Sequence, residues 1–232
     1  MKKRYIVIIV ILLVLITSVL VYLNTYYKAE SVNDYLKSND IVEVKKDKNG
    51  YYFDGPGEDN ILVFYPGAKV EYVSYAPLMS RLAEQGVDTF LVKMPFNIAF
   101  FDGNAIKDIM KDYKYDNWYL SGHSLGGVVA ASYTSKHDGI KGLVLLASYS
   151  TKKINCRVLS IYGSNDKVLN IDKFNENRKF LPDDSVVVKI DGGNHAFFGN
   201  YGPQKGDGNA TISRKEQQEI TTLKIIDFIE EN

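Results

Sequence analysis

Ser124 is the residue whose surroundings most clearly suggest chemistry. It lies in Gly122-His123-Ser124-Leu125-Gly126, a G-x-S-x-G pattern set between a predicted strand and a predicted helix. The turn is so tight that glycines are needed at Gly122 and Gly126, because side chains there would clash with the neighbouring strand and helix. The serine hydroxyl then projects from the end of a sheet. The pattern predicts a nucleophilic serine, and the alternative is an ordinary strand-to-helix turn in an inactive domain.

A serine hydroxyl needs a base, itself oriented by an acid, to become a good nucleophile near neutral pH. In enzymes built on such a turn, the acid and then the histidine follow the serine along the chain. His137 lies at a predicted helix end beside an Asp-Gly pair, which favours a structural role. His195 ends a glycine-rich segment after the last predicted strand, and we expect it to be the base. His123, inside the turn, is expected to point away from the serine and to pack.

Asp166 is the expected acid. It follows the predicted strand over residues 157–162, whereas residues 147–151 after the preceding strand contain no carboxylate. The alternative role for Asp166 is that of a turn or cap residue. Three other acidic residues nearby are less well placed and are expected in solvent: Asp172, Asp183 and Asp184.

Acyl transfer also needs N–H donors for the oxyanion that forms on the substrate. The backbone N–H of Leu125, directly after the serine, is the first expected donor. The second is expected in the loop over residues 65–70, where Gly67 lets the chain pass close to the serine and Ala68 supplies the N–H.

Strand and helix patterns alternate after residue 40, which predicts a doubly wound, mostly parallel α/β sheet in one catalytic domain over residues 41–232. The first two strands read as a hairpin with Asn49-Gly50 as its turn. The last helix begins with a capping box at residues 213–216. Its expected buried face is formed by aliphatic side chains: Ile220, Leu223, Ile226 and Ile229.

The N-terminus predicts a single membrane-spanning helix. Three basic residues at positions 2–4 precede an uncharged, apolar run over residues 5–23. At about 1.5 Å per residue this run spans roughly 28 Å, close to the thickness of a bilayer core. We therefore expect residues 1–27 to be a basic cluster and anchor, residues 28–40 to be a stalk, and the catalytic domain to lie outside the membrane, with the N-terminus cytoplasmic. The alternatives are a cleaved signal peptide and a buried core helix.

The composition argues against several other classes of function. Lysine plus arginine and aspartate plus glutamate number 28 each, so no basic surplus is present to neutralise nucleic-acid phosphates. Cys156 is the single cysteine, so it forms no internal disulfide. Three histidines support a zinc site poorly, and we predict neither a metal nor a cofactor. Protein partners are not predictable from the sequence.

The motifs together resemble the α/β-hydrolase superfamily, in particular compact, capless, membrane-anchored bacterial members of the dienelactone-hydrolase-like type. The matching pieces run in family order: FYPGAKVE (64–71), LVKMP (91–95), GHSLGG (122–127), YGSNDKV (162–168) and GGNHAFFGNYGPQKGDG (192–208). The resemblance implies the same triad of Ser124, Asp166 and His195. Dienelactone hydrolases proper use a cysteine nucleophile, however, so the serine here places that activity in doubt. Many relatives carry His-Gly where this chain has Pro66-Gly67.

The short connection between residues 146 and 157 leaves no room for a cap domain, so an open, shallow site is expected. Side chains that are candidates for an acyl pocket are Phe96, Asn97 and Phe197, with packing as the equally favoured alternative. The expected function is hydrolysis of a small-molecule carboxylic ester through an acyl-enzyme. The open alternatives are a thioesterase, an acyltransferase, a peptidase, or a non-catalytic, membrane-tethered binding module. The glycines and Asp207 of residues 199–209 are compatible with a mobile flap or an ion-binding turn.

Overall fold

The computed structural model describes residues 2–232, beginning with helix α1, Lys2–Asn24. Residues 5–22 of α1 are solvent-exposed and, apart from Thr17 and Ser18, apolar, and Lys3–Asn24 is long and apolar enough to cross a membrane. Its hydroxyl and amide side chains bond to carbonyls of the helix itself, as Thr17 does to Leu13, so they carry little unsatisfied polarity.

An eight-stranded sheet forms the centre of the domain, in the order β1-β2-β4-β3-β5-β6-β7-β8. β1 and β2 pair antiparallel, β2 pairs antiparallel with β4, and the remaining pairs are parallel. The strands are Glu43–Asp47, Gly50–Asp54, Asn60–Tyr65, Asp88–Val92, Asn117–His123, Gly142–Leu146, Arg157–Gly163 and Val186–Ile190, numbered β1 to β8. The predicted doubly wound α/β sheet is confirmed.

Two hydrophobic cores lie on the two faces of this sheet. α2 and α6 pack on one face, and α3 and α4 pack on the other. The helices that follow α1 are Ala76–Glu84, Ala105–Asp112, Leu125–Thr134, Ile171–Asn177 and Arg214–Glu230, numbered α2 to α6. Residues 147–156 join β6 to β7 directly, so the described chain has no cap domain there, as predicted.

The registers of the parallel strands bring their carboxyl ends together in pairs. Tyr65 at the end of β3 lies opposite Gly122, and Gly163 at the end of β7 lies opposite Ile190 at the end of β8. The loop after β3 is therefore beside the G-x-S-x-G turn, and the loops carrying Asp166 and His195 are beside each other.

The segment predicted as a stalk packs on the domain instead of standing free. Tyr27 forms a parallel bridge with Val70, and Ala29 forms an antiparallel bridge with Tyr201. Val32 is buried, with 5% of its surface exposed. The sequence does not predict this packing, because the segment bonds to the domain mainly through its backbone, and backbone bonds leave no hydrophobic pattern.

The expected face of α6 is confirmed only in part: Ile229 is buried and Ile220 and Ile226 pack against the core. Leu223 is exposed, whereas the buried face includes Gln217, Gln218, Thr221 and Thr222. The two threonine hydroxyls donate to carbonyls one turn earlier, at 2.7 and 2.9 Å. The glutamines bond to the loop around His195, so a polar face is buried because it has partners.

Candidate active site

Ser124 sits at the junction of β5 and α4 in a strained backbone conformation, with φ 52° and ψ −123°. A Cβ added at Gly122 would lie 2.5 Å from the carbonyl carbon of Gly126, and one added at Gly126 would lie 2.3 Å from the Tyr65 carbonyl oxygen. Both glycines are therefore required by close backbone contacts, as the sequence predicts. The Ser148 hydroxyl donates to the Ser124 carbonyl at 2.8 Å, which ties the turn to the loop after β6.

His195 and Asp166 form a buried pair. The N–H at Nδ1 of His195 donates to Oδ2 of Asp166 at 2.8 Å, and each side chain is only 1% exposed. The other oxygen, Oδ1, accepts the N–H groups of Val168 and Leu169, each at 2.8 Å. These donors fix the carboxylate, which in turn fixes the imidazole with its proton on Nδ1.

The opposite ring nitrogen of His195 is available for proton transfer. Nε2 is buried and has no hydrogen-bond partner among the described residues. His195 and Ser124 line the same cavity of about 220 Å³, together with Leu125. A histidine with an unpartnered ring nitrogen that shares a cavity with a serine is an arrangement compatible with general-base catalysis.

The two expected oxyanion donors lie on segments that meet at the turn. Gly67 is not a free donor, because its N–H donates to the Tyr75 hydroxyl at 3.2 Å. Among the bonds of residues 2–232, neither the N–H of Ala68 nor that of Leu125 has an acceptor. Gly126 contacts the Tyr65 carbonyl, so the loop that carries Ala68 passes directly over the turn.

His123 packs under His195, with their ring centroids 4.5 Å apart. Its Nδ1 bonds to the Tyr75 hydroxyl at 2.8 Å. Complete burial, with the neighbouring His195 acting in the same direction, holds the pKa of His123 well below its usual range. A neutral His123 therefore lies between the base and Tyr75, the residue that holds the loop at Gly67.

Asp207 braces the histidine loop, a role that sequence reasoning missed. Its carboxylate accepts the N–H groups of His195 at 3.3 Å, Ala196 at 2.9 Å and Gly208 at 2.8 Å. The contact with the N–H of Lys167, at 3.4 Å, reaches the loop that carries Asp166. The segment read as a flap or an ion-binding turn is therefore tied to both catalytic loops by its own carboxylate.

Gln217 of α6 holds the same loop from the other side. Its Oε1 accepts the N–H of Asn194 at 2.9 Å, and its Nε2 donates to the Asn194 carbonyl at 2.8 Å. The Asn194 side chain donates to the Gly208 carbonyl at 2.9 Å and accepts the N–H of Phe197 at 3.1 Å. A glutamine on a helix that is rich in polar residues gives no signal in the sequence for such a role.

The acyl-pocket residues suggested by the sequence lie elsewhere. The cavity at Ser124 is lined by none of Phe96, Asn97 and Phe197. Its apolar lining consists of Leu125, Val128, Ala147, Tyr149, Val168 and Leu169. Phe197 packs beneath the Arg214 guanidinium, 4.9 Å from its ring, and Phe96 packs on Phe101. The sequence order of the loops could not show which way these side chains point.

The comparisons with known proteins agree with the fold described above. The model of the alpha/beta hydrolase family matches residues 61–219, more than half of the chain. The chain belongs to the alpha/beta hydrolase family. It is therefore an enzyme, and the family membership supports a hydrolase. A search of curated protein sequences finds no match.

Solved alpha/beta hydrolase structures share the fold at low identity. An alpha/beta hydrolase from a sediment metagenome of the Mar Chica lagoon, Morocco, is 16% identical with a TM-score of 0.62, over 82% of this chain and 98% of that one. Est1E from Butyrivibrio proteoclasticus is 14% identical with a TM-score of 0.56, over 82% and 100%. Carboxyl esterase 2 from the fungus Tuber melanosporum is 12% identical with a TM-score of 0.60, over 86% and 89%. At these identities the likeness establishes the fold alone.

Proposed function

We propose that this enzyme is a membrane-anchored serine hydrolase that cleaves carboxylic esters through an acyl-enzyme. The observation that carries the proposal is the buried 2.8 Å pair between Asp166 and His195, a histidine that lines the same cavity as Ser124 and whose Nε2 has no partner among the described residues. In a serine-hydrolase triad the acid orients the base, and the base takes the proton of the nucleophile. The esterases among the structural neighbours are in line with an ester substrate.

The reaction proceeds in two balanced steps. His195 Nε2 accepts the Ser124 proton while Oγ forms a bond to the acyl carbon, and the proton then passes to the alkoxide as the ester C–O bond breaks. In the second step the same nitrogen takes a proton from water as the water oxygen bonds to the acyl carbon. The acyl C–Oγ bond then breaks, the proton passes from Nε2 to Ser124 Oγ, and the carboxylic acid is released. Asp166 stabilises the imidazolium in both steps, and the N–H groups of Ala68 and Leu125 bind the oxyanion.

The place of the enzyme in the cell is part of the proposal. α1 serves as an uncleaved anchor, because its apolar span is flanked by basic residues at one end and tyrosines at the other. The basic end stays in the cytoplasm and the catalytic domain lies outside. The assignment to bacterial, dienelactone-hydrolase-like members follows from the sequence motifs.

Ser124→Ala tests the function directly. We expect turnover of a short, soluble ester to fall by a factor of about 10⁴ or more, because the nucleophile is lost while the fold is kept. The measurement uses the full chain in detergent micelles. Ser132→Ala, on the same helix, is the matched control and should retain the parent rate. Comparable turnover by Ser124→Ala would overturn the proposal.

A further inference from the structure

The membrane helix ends directly beside the loop that carries an expected oxyanion donor. The Lys69 ammonium donates to the Tyr22 carbonyl near the end of α1 and lies 4.3 Å from the centre of the Tyr22 ring. Lys69 is the residue after Ala68. The carboxyl edge of the sheet, where the catalytic residues meet, is therefore the edge that faces the anchor.

The segment after α1 holds this geometry through backbone bonds. The N–H of Tyr27 donates to the Lys69 carbonyl at 2.7 Å, and the N–H of Glu71 donates to the Tyr27 carbonyl at 2.9 Å. A further bond, from the N–H of Glu30 to the Asn200 carbonyl at 2.9 Å, reaches the loop after His195. The helix is thus not joined to the domain by a free spacer, and the bilayer surface lies close to the site.

Three exposed phenylalanines continue this edge. Phe96, Phe100 and Phe101, which we call the aromatic rim, are 46%, 68% and 56% exposed. The loop that contacts the anchor is bonded to the segment that carries the rim, because the Lys69 N–H donates to the carbonyl of Asn97, next to Phe96, at 2.7 Å. Phe96 has a φ of 53°, in the left-handed region that few bulky side chains adopt, so the fold holds this ring outward under strain.

A cluster of exposed phenylalanines is costly in water but favourable at the boundary between lipid headgroups and acyl chains. Tyr22 and Tyr26 at the end of α1 are also exposed, as is common for aromatic residues at membrane interfaces. Lys69 links these two groups, because its ammonium contacts Tyr22 while its backbone N–H bonds to Asn97, the neighbour of Phe96. A lipid bilayer is the partner that this surface fits, since the same chain already enters it next to the rim.

We infer that the aromatic rim rests in the bilayer interface and that the substrate is an acyl ester of a membrane-resident amphiphile. The substrate class rests on the proposed ester hydrolysis, and the membrane-facing surface rests on the contacts between the anchor and the domain. A membrane ester enters the open site from the bilayer side, without a lid, and its acyl chain need not leave the lipid phase until it reaches Ser124.

The test uses the full chain reconstituted in vesicles of phosphatidylethanolamine and phosphatidylglycerol. The variant replaces the three rim phenylalanines by serine, and the matched control replaces exposed aliphatic residues elsewhere by serine: Ile41, Ile171 and Leu223. Rates are measured on a fluorogenic long-chain ester in the vesicle and on a short, soluble ester. We expect the rim variant to hydrolyse the vesicle ester about tenfold more slowly than the parent and the soluble ester within twofold of the parent rate. The control variant should hydrolyse both esters at the parent rate. Equal losses on both esters, or no loss, would overturn the inference.

A second measurement does not depend on activity. Phe100→Trp is expected to be quenched by brominated lipids, whereas Leu223→Trp and the parent with its buried Trp118 are not. An unquenched Phe100→Trp would overturn the membrane surface. The two experiments distinguish failure of the proposed function from failure of the membrane surface. If the proposed function is wrong, the parent is inactive on both esters, and the quenching experiment still tests whether the rim contacts lipid.

Discussion

The active site consists of two halves that are built by different means. The serine half, residues 122–127, is fixed by glycines whose backbones touch their neighbours, so its geometry is set by local steric exclusion. The histidine half, residues 192–209, is held by side-chain hydrogen bonds, chiefly from Asp207 within the segment and from Gln217 of α6.

The two halves should therefore respond differently to amino-acid substitution. A tight glycine turn has no alternative packing, so an added methyl group must distort the fold. A loop held by polar bonds keeps its path when one bond weakens, but it loses the accuracy with which it holds the base. Substitution of the glycines in the serine half should therefore act on stability, whereas substitution of the polar side chains that hold the histidine half should act on catalysis.

Gly126→Ala should have the largest effect on folding. The added Cβ would lie 2.3 Å from the Tyr65 carbonyl oxygen, a backbone atom that cannot move alone. We expect a loss of about 3 kcal/mol in the free energy of unfolding, measured by denaturant titration. Gly202→Ala is the control, since its Cβ meets only the flexible Glu30 carboxylate. Equal stability of the two variants would refute steric fixation of the serine half.

Asp207→Asn should separate catalysis from stability. The amide keeps the shape but turns an NH₂ group toward backbone N–H donors, so the segment around His195 loosens. We expect kcat to fall about 10- to 100-fold with little change in KM and in the pH profile. Asp191→Asn, with its carboxylate 86% exposed on the same loop, should leave kcat unchanged. A loss of stability without a loss of kcat would show that Asp207 has only a structural role.

His123 should give the smallest effect, through the pH dependence of stability. Its pKa is lowered in the folded protein, so below about pH 6.5 the unfolded chain binds a proton that the folded chain does not. Stability should therefore fall as the pH decreases from 6.5, by up to about 1.4 kcal/mol per pH unit. His123→Gln should lack this contribution. The check is denaturant unfolding of both proteins at pH 7.5, 6 and 5, and parallel curves would contradict it.

The same division explains how much the sequence could reveal. The turn at Ser124, the strand order of the loops and the pairing of Asp166 with His195 follow from local motifs on a sheet whose topology is regular. These features can be predicted from residues that are neighbours along the chain, together with the rule that the carboxyl ends of parallel strands lie at the same edge of a sheet. Ala68 and Leu125 stay predictions as oxyanion donors.

The features that the sequence did not reveal depend on long-range partners. Gln217 and Thr221 are polar yet buried, and the hydrophobic pattern of α6 pointed instead to Leu223, which is exposed. The segment after α1 bonds to Lys69 and Glu71 through its backbone, which no side-chain pattern records. Phe197 packs under Arg214 because the loop turns, and loop direction is not encoded in periodicity.

The most direct test of the triad is covalent labelling of the full chain by a fluorophosphonate probe, with the adduct mapped by mass spectrometry. The proposed triad predicts a single major adduct on Ser124 in the parent and no such adduct in Ser124→Ala. Labelling of Asp166→Asn should be at least a hundredfold slower, because the base loses its orientation. Ser132→Ala should label like the parent. An unlabelled parent that is folded, or an adduct that persists in Ser124→Ala, would contradict the account.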